Sequence, residues 1–415
     1  MEPQLAHFLV VSLGMLQFGL HMAELNTLVP FMDCAKFPDH CLPGIGDHYA
    51  LASSIYAVGG CLGSAVAGPI ANRFGRKTSF KFIGFGFLLG SLFMWIAGGM
   101  FLLTLGRFVV GIFAGLAIVI GPMFVAEFTS VEKRRPYGIM NQFAVNCGIS
   151  ATLTAGYISE NASWRAVLFL GVFVAAVQII MTYNIHESPL WLTKNNKFRE
   201  AQQIADHLGV TLDEVSNNDG SHFVSIPTFI TSPEYIKVLL TVVGIFTLQQ
   251  FSGINAIVFY GVKILERSSS SRQAAIGNVA IQLTNASLTL VAATFIKRTG
   301  PKKLIIFSCL GMALASVWLG IALDNDNATP AFFAIVTDVS FFALGLGPVP
   351  FMVVGELVPS EAVGAAQSVA TMSNWLATFV IGAFFPSWRE LMGEKVFFLF
   401  SACAATGGIA LSYIL

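Results

Sequence analysis

Residues Gln249–Tyr260 read QQFSGINAIVFY, in the middle of an apolar segment that begins near Tyr235. Two adjacent amides, a Ser-Gly pair and an Asn occupy a stretch otherwise suited to hydrocarbon. An amide buried without a partner costs several kcal/mol, so a membrane helix carries this many only for a reason. Gly253 loosens the helix and lets it bend or break around a ligand. Carboxamides both donate and accept, which suits a neutral polyhydroxy molecule better than an ion. The competing reading is hydrogen bonding between helices in a bundle core. The density of QQ-x-x-G-x-N within seven residues weighs against it.

Outside this stretch the chain reads as membrane protein throughout. A mean hydropathy of +0.72, with 55% hydrophobic and 11% charged residues, excludes a soluble domain of 415 residues. A bilayer core of roughly 30 Å takes about 20 apolar residues per helix. Twelve such segments are expected, at 5–30, 49–71, 78–100, 103–126, 137–159, 164–184, 236–262, 274–296, 303–323, 331–356, 364–386 and 394–415. The fold class is therefore all-α, with short loops between spans. The first segment lacks a basic leader and is expected to span rather than to be cleaved.

Charge position orients the chain. Every second loop is basic: Arg73, Arg76, Lys77 and Lys81, then Lys133, Arg134 and Arg135. Lys194, Lys197, Arg199 and Lys237 follow, then Lys297, Arg298, Lys302 and Lys303, together 15 of the 23 Lys and Arg. The positive-inside rule puts these loops and both termini in the cytosol, without distinguishing a plasma membrane from a vacuolar or other organellar one. Cys34 and Cys41 flank a polar loop on the opposite side, where a local disulfide is either formed or not; the remaining cysteines lie in apolar spans. Asn161-Ala-Ser and Asn327-Ala-Thr are glycosylation sequons on that same side. No metal-ligand or nucleophile–base spacing stands out, so neither a cofactor, a metal nor enzyme chemistry is expected. Nothing points to nucleic acid, and a monomer is expected.

Several spans carry polar groups at shared helical faces. Gln17, His21 and Glu24 fall at i, i+4 and i+7 of the first span. His21 is either a proton carrier or a neutral histidine bonded inside the bundle. The fifth span carries Asn141, Gln142 and Asn146, the eighth Gln282 and Asn285. The tenth reads GLGPVPFMVVGELVPSE, whose prolines remove helix hydrogen bonds and force a kink or unwinding. The eleventh carries Asn374-Trp375, a Trp placed either to stack on a ring-shaped ligand or at an interface. Internal echoes divide the chain: NRFGRK at Asn72–Lys77 returns as KRTGPKK at Lys297–Lys303, and a Gly-Pro before Glu127 returns before Glu356. Two six-helix pseudo-repeats are expected, 1–186 and 234–415, joined by a cytosolic linker at 187–233 with short amphipathic helices.

In their order, QQFSGIN, GPIANRFGRK, HESPLWL and GPVPFMVVGELVPSE resemble the sugar porter family of the major facilitator superfamily. The resemblance covers nearly the whole chain. It implies a secondary transporter that moves a hexose or related sugar or polyol by alternating access. Carried over position by position, it implies sugar contacts at Gln142, Gln249, Gln250, Asn255, Asn285, Asn374 and Trp375, with Tyr260 closing the outer side. A cytosolic gate would use Arg76, Glu127, Arg134, Glu187, Arg298 and Glu356.

Three departures matter. Phe351 stands where the glucose transporters have Trp, and Ala343 where they commonly have Glu, so hydroxyl recognition is expected to differ. Proton-coupled relatives have an Asp where this chain has His21. With His21 and Glu24 left as the candidate proton site, uniport is favoured over symport. The rival class is a non-transporting sugar-sensing receptor on the same fold, separable by ligand-dependent uptake in vesicles.

Overall fold

The structure, a computed structural model, describes residues 3–28, 31, 32, 34, 41–158, 163–212, 224–266, 270–359 and 361–414. The side chains at 3, 46, 47, 131–133, 135, 271, 297 and 298 fall outside that description, as does the sequon residue Asn161.

Six membrane rods come first: α1 (Pro3–Leu28), α2 (Ile45–Phe74), α3 (Arg76–Trp95), α4 (Met100–Phe128), α5 (Val131–Ile158) and α6 (Trp164–Thr182). Three short helices follow, α7 (Pro189–Lys194), α8 (Phe198–Leu208) and α9 (Ile226–Thr231). The seventh rod is broken into α10 (Ile236–Phe251) and α11 (Ile254–Glu266). The eighth and ninth are α12 (Ser271–Thr299) and α13 (Pro301–Asp324). The tenth is broken into α14 (Ala328–Leu344) and α15 (Val349–Leu357), and α16 (Val363–Met392) and α17 (Val396–Ile414) complete the set.

Among the described residues, ten stretches are long and apolar enough to cross a membrane. One of them, Val363–Ile414, is two helices folded back at Gly393 (φ 62°). The remaining rod, α5, is less apolar because it opens on EKRR and carries three amides further in. The result is twelve rods among the described residues.

The two halves repeat a turn. Gly75 (φ 85°, ψ 170°) separates α2 from α3, and Gly300 (φ 78°, ψ 160°), 225 residues later, separates α12 from α13. A left-handed φ favours glycine, which is why both basic loops carry one at that place. We call the end of the molecule with these loops the basic face. Across the centre α2 packs on α16, α5 on α12 and α1 on α11. Small residues allow close approach within the first half, where a Cβ at Gly63 would run into the main chain at Ile112 of α4.

The linker helices lie on the basic face. Ala201, Ala205 and Leu208 of α8 are buried, and Gln4 Nε2 of α1 donates to Leu208 O at 2.6 Å. On the opposite face Cys34 and Cys41 are joined in a disulfide, Cα atoms 4.7 Å apart. Asn327 is the exposed residue preceding α14.

Candidate functional site

The seventh and tenth rods break at the same depth, and one side chain joins the breaks. In the seventh, Ser252 Oγ turns back to Gln249 O (2.7 Å) and Gly253 takes φ 96°. A Cβ on Gly253 would lie 2.8 Å from the Phe400 ring, so backbone and packing both demand glycine. In the tenth, Leu346 O would look four residues on for its helical partner and finds Pro350, which has no N–H. Gln249 Nε2 supplies the missing donor, 2.5 Å from Leu346 O and 3.2 Å from Gly347 O. Its Oε1 accepts from Asn374 Nδ2 of α16 at 2.7 Å. Gln249 is thus engaged at both ends by the protein itself.

Around it lies a layer of buried amides. Asn255 Nδ2 donates to Gln250 Oε1 (2.5 Å) and Thr378 Oγ1 (3.0 Å). Across the inter-half boundary Asn146 Nδ2 of α5 donates to Asn285 Oδ1 (3.1 Å) and Thr289 Oγ1 (2.8 Å) of α12. Gln142 Nε2 reaches Asn146 Oδ1 at 3.4 Å. The layer therefore combines donors and acceptors from α5, α10, α11, α12 and α16 and holds no charge.

On the side away from the basic face the halves are tied together. Tyr49 Oη donates to Phe259 O (2.6 Å) and Asn26 Nδ2 to Val258 O (2.8 Å), and within the second half Tyr260 Oη donates to Gly382 O (2.5 Å). Towards the basic face a cavity of ≈ 40 Å³ opens between α1, α4, α5 and α15, lined by Asn141, Gln142 and Phe351 among others. A larger one, ≈ 410 Å³, lies between the opposite ends of α11, α12, α13 and α14. Its walls are mostly apolar and include none of the layer's amides, so we place the site at the layer.

Two ionic clusters belong to the first half. Glu24 and His21 of α1 are buried, with His21 Nδ1 3.0 Å from Glu24 Oε1. Arg107 of α4 sits 3.7 Å from Glu24 Oε2, donates to His21 O, and lies 4.5 Å over the Tyr56 ring. Ser91 Oγ approaches His21 Nε2 at 3.3 Å. At the basic face Arg76 holds Glu127 Oε1 through Nε (3.1 Å) and Nη2 (2.7 Å). Glu187 Oε1 accepts from the N–H groups of Arg76 (2.6 Å), Ser188 (2.9 Å) and Lys77 (3.1 Å). Burial raises the Glu187 carboxyl above its ordinary range, opposed by those N–H groups and the Arg76 charge.

The family model for sugar (and other) transporters matches residues 7–414. The chain belongs to this sugar transporter family. It is 33% identical over 435 residues to a Saccharomyces cerevisiae protein described as a probable metabolite transport protein, covering 96% of this chain and 89% of the other. The rat facilitated glucose transporter member 3 is 32% identical over 425 residues, 95% of this chain and 86% of the other. The proton:xylose symporter XylE bound to 6-bromo-6-deoxy-D-glucose superposes with a TM-score of 0.85 at 22% identity, over 98% of this chain and 94% of that one, which shows a shared major facilitator fold.

As a sugar transporter, the chain places its sequence-predicted residues unevenly. Gln142, Gln249, Gln250, Asn255, Asn285 and Asn374 share the amide layer, with Tyr260 at its sealed side. Trp375 is 2% exposed, wedged against Gly60 with Phe18 and Tyr56 edge-on at 5.4 and 5.3 Å, so its ring braces the inter-half packing. Phe351 stacks edge-on with Phe246 at 4.9 Å. Of the six gate residues, Arg76, Glu127 and Glu187 come together. Arg134 is half-buried in the first turn of α5, Glu356 is exposed near the end of α15, and the Arg298 side chain is outside the described residues. Sequence reasoning gave no role to Arg107, whose signal was an arginine inside an apolar span, nor to Thr289 and Thr378, which carry no signal of their own.

Proposed function

We propose that this sugar transporter carries a hexose or related neutral polyol by alternating access, as a uniporter, with the basic face and both termini in the cytosol. Its moving bodies are residues 1–186 and 234–415, joined through 187–233. One observation carries the reading: the uncharged amide layer draws residues from both halves, so a polyhydroxy ligand bound there touches both at once. Such a ligand favours whichever arrangement brings the halves together around it, and that differential binding drives the switch. Gln142, Gln250, Asn255 and Asn285 are assigned to the sugar, Gln249 and Asn374 to holding the layer in place. Arg76, Glu127 and Glu187 brace the cytosolic side while it is shut. The relatives described as facilitated glucose transporters support a hexose and uniport; Phe351 and Ala343 favour a preference differing from theirs.

Proton symport is the second reading, favoured by the buried His21–Glu24–Arg107 cluster. We place it second because Glu24 already faces a permanent cation and the cluster turns toward α3 and α4 rather than the amide layer. The test is uptake of labelled hexoses and polyols into liposomes holding the purified protein, with and without a pH gradient. Equilibrating uptake indifferent to the gradient is expected. Concentrative, gradient-driven uptake overturns uniport, and no uptake of any sugar overturns the carrier reading in favour of a receptor or another substrate.

A further inference from the structure

Asn141 of α5 is 6% exposed, and among the described residues neither its Oδ1 nor its Nδ2 has a hydrogen-bond partner. A buried carboxamide with both ends unsatisfied is expensive, and folded proteins hold few of them. This one lines the ≈ 40 Å³ cavity, space for a water or a hydroxymethyl group. Among the cavity's lining side chains, Asn141 and Gln142 are the polar ones; Met15, Ile118, Pro122 and Met352 make much of the remaining wall.

The cavity's place gives the amide its use. Asn141 precedes Asn146 by five residues, so it lies about 7.5 Å nearer the basic face than the amide layer. Gln142, its neighbour, bonds to Asn146 at 3.4 Å and joins the cavity to the layer. One turn further out, α5 closes on α15: a Cβ at Gly138 would lie 3.3 Å from Met352 Cγ. The wall opposite Asn141 is α15, the segment beyond the break in the tenth rod, so a movement of α15 opens this space toward the basic face.

We propose that Asn141 is a specificity residue for the transported sugar, reading one hydroxyl with both ends of its carboxamide as the ligand passes between the amide layer and the cytosol. This rests on the carrier reading above. Nδ2 donates to the hydroxyl oxygen and Oδ1 accepts its hydrogen, which satisfies the two atoms the resting protein leaves unpaired.

The test uses Asn141→Leu, near in volume and without polar atoms, in oriented vesicles of the full chain, with a hexose and its monodeoxy analogues. KM from the cytosolic side is expected to rise about two- to hundredfold, the worth of one or two neutral hydrogen bonds. The increase disappears for the one analogue that lacks the hydroxyl read by Asn141. Because removing an unsatisfied buried amide relieves the resting protein, the variant's Tm stays level or rises. A KM unchanged for the parent sugar, or raised equally for every analogue, overturns the inference while leaving the carrier reading intact. Absence of wild-type flux for any sugar overturns both. Asn141→Ser carries the same analogue test if the leucine variant fails to assemble.

Discussion

Replacing Gln249 by leucine separates holding the site from binding at it. The side chain donates to Leu346 O and Gly347 O and accepts from Asn374 Nδ2. Hydrogen bonds between membrane helices average only about 0.6 kcal/mol, because groups freed on one side find other partners. Here that escape is closed for Leu346 O, whose helical partner position is Pro350. An acceptor left unsatisfied in a buried place costs about 1–3 kcal/mol. With the weaker losses at Gly347 and Asn374 added, Gln249→Leu should destabilise by about 3 kcal/mol, a fall in Tm on the order of 5 °C. Gln250→Leu loses a contact to Asn255 and a marginal 3.5 Å one to Gln249, and should leave Tm nearly level while raising KM. The assay is a thermal melt of the purified protein in detergent beside vesicle uptake of the same preparations. If Gln249→Leu melts within about 1 °C of the parent, the idea that this side chain ties two broken helices together is wrong.

Gly60→Ala should drive a methyl into the Trp375 indole and loosen α2 from α16, cutting the transport rate more than KM; unchanged kinetics would show that the ring has room to move. Glu24→Gln leaves Arg107 buried without its carboxylate, a loss of about 3–5 kcal/mol by the usual cost of breaking such pairs, read as a lowered Tm. His186 is held below the ordinary histidine range by burial first, then by His207 and Lys77, with His7 stacked at 5.9 Å on its other side. A histidine so depressed supports folding above about pH 6.5 and loses that contribution as pH falls. Amide exchange over residues 198–208, corrected for intrinsic rates, should therefore speed up between about pH 7.5 and 5.5, and His186→Gln should abolish the change.

The sequence made the twelve rods legible because hydrocarbon demands length and apolarity from every span, and only α5 strained the rule by carrying amides. The two breaks were legible as well, since Gly253 and the prolines after Gly347 announce themselves locally. What could not be read was who answers whom. That Gln249 serves Leu346 is a relation across 97 positions, and that Trp375 rests on Gly60 depends on a missing Cβ in another rod. The meeting of Arg76, Glu127 and Glu187 was hidden for the same reason: they stand on three elements, and it follows from helix packing rather than spacing.

The seal opposite the basic face has side-chain donors and main-chain acceptors. Tyr49 and Asn26 of the first half reach the carbonyls of Phe259 and Val258 in the second. Every residue type supplies the same carbonyl, so the accepting side of the lock is insensitive to the side chains drawn there by mutation. Positions 258 and 259 are free to drift for reasons of packing or substrate while the latch survives. Only the two donors depend on the identity of their side chains.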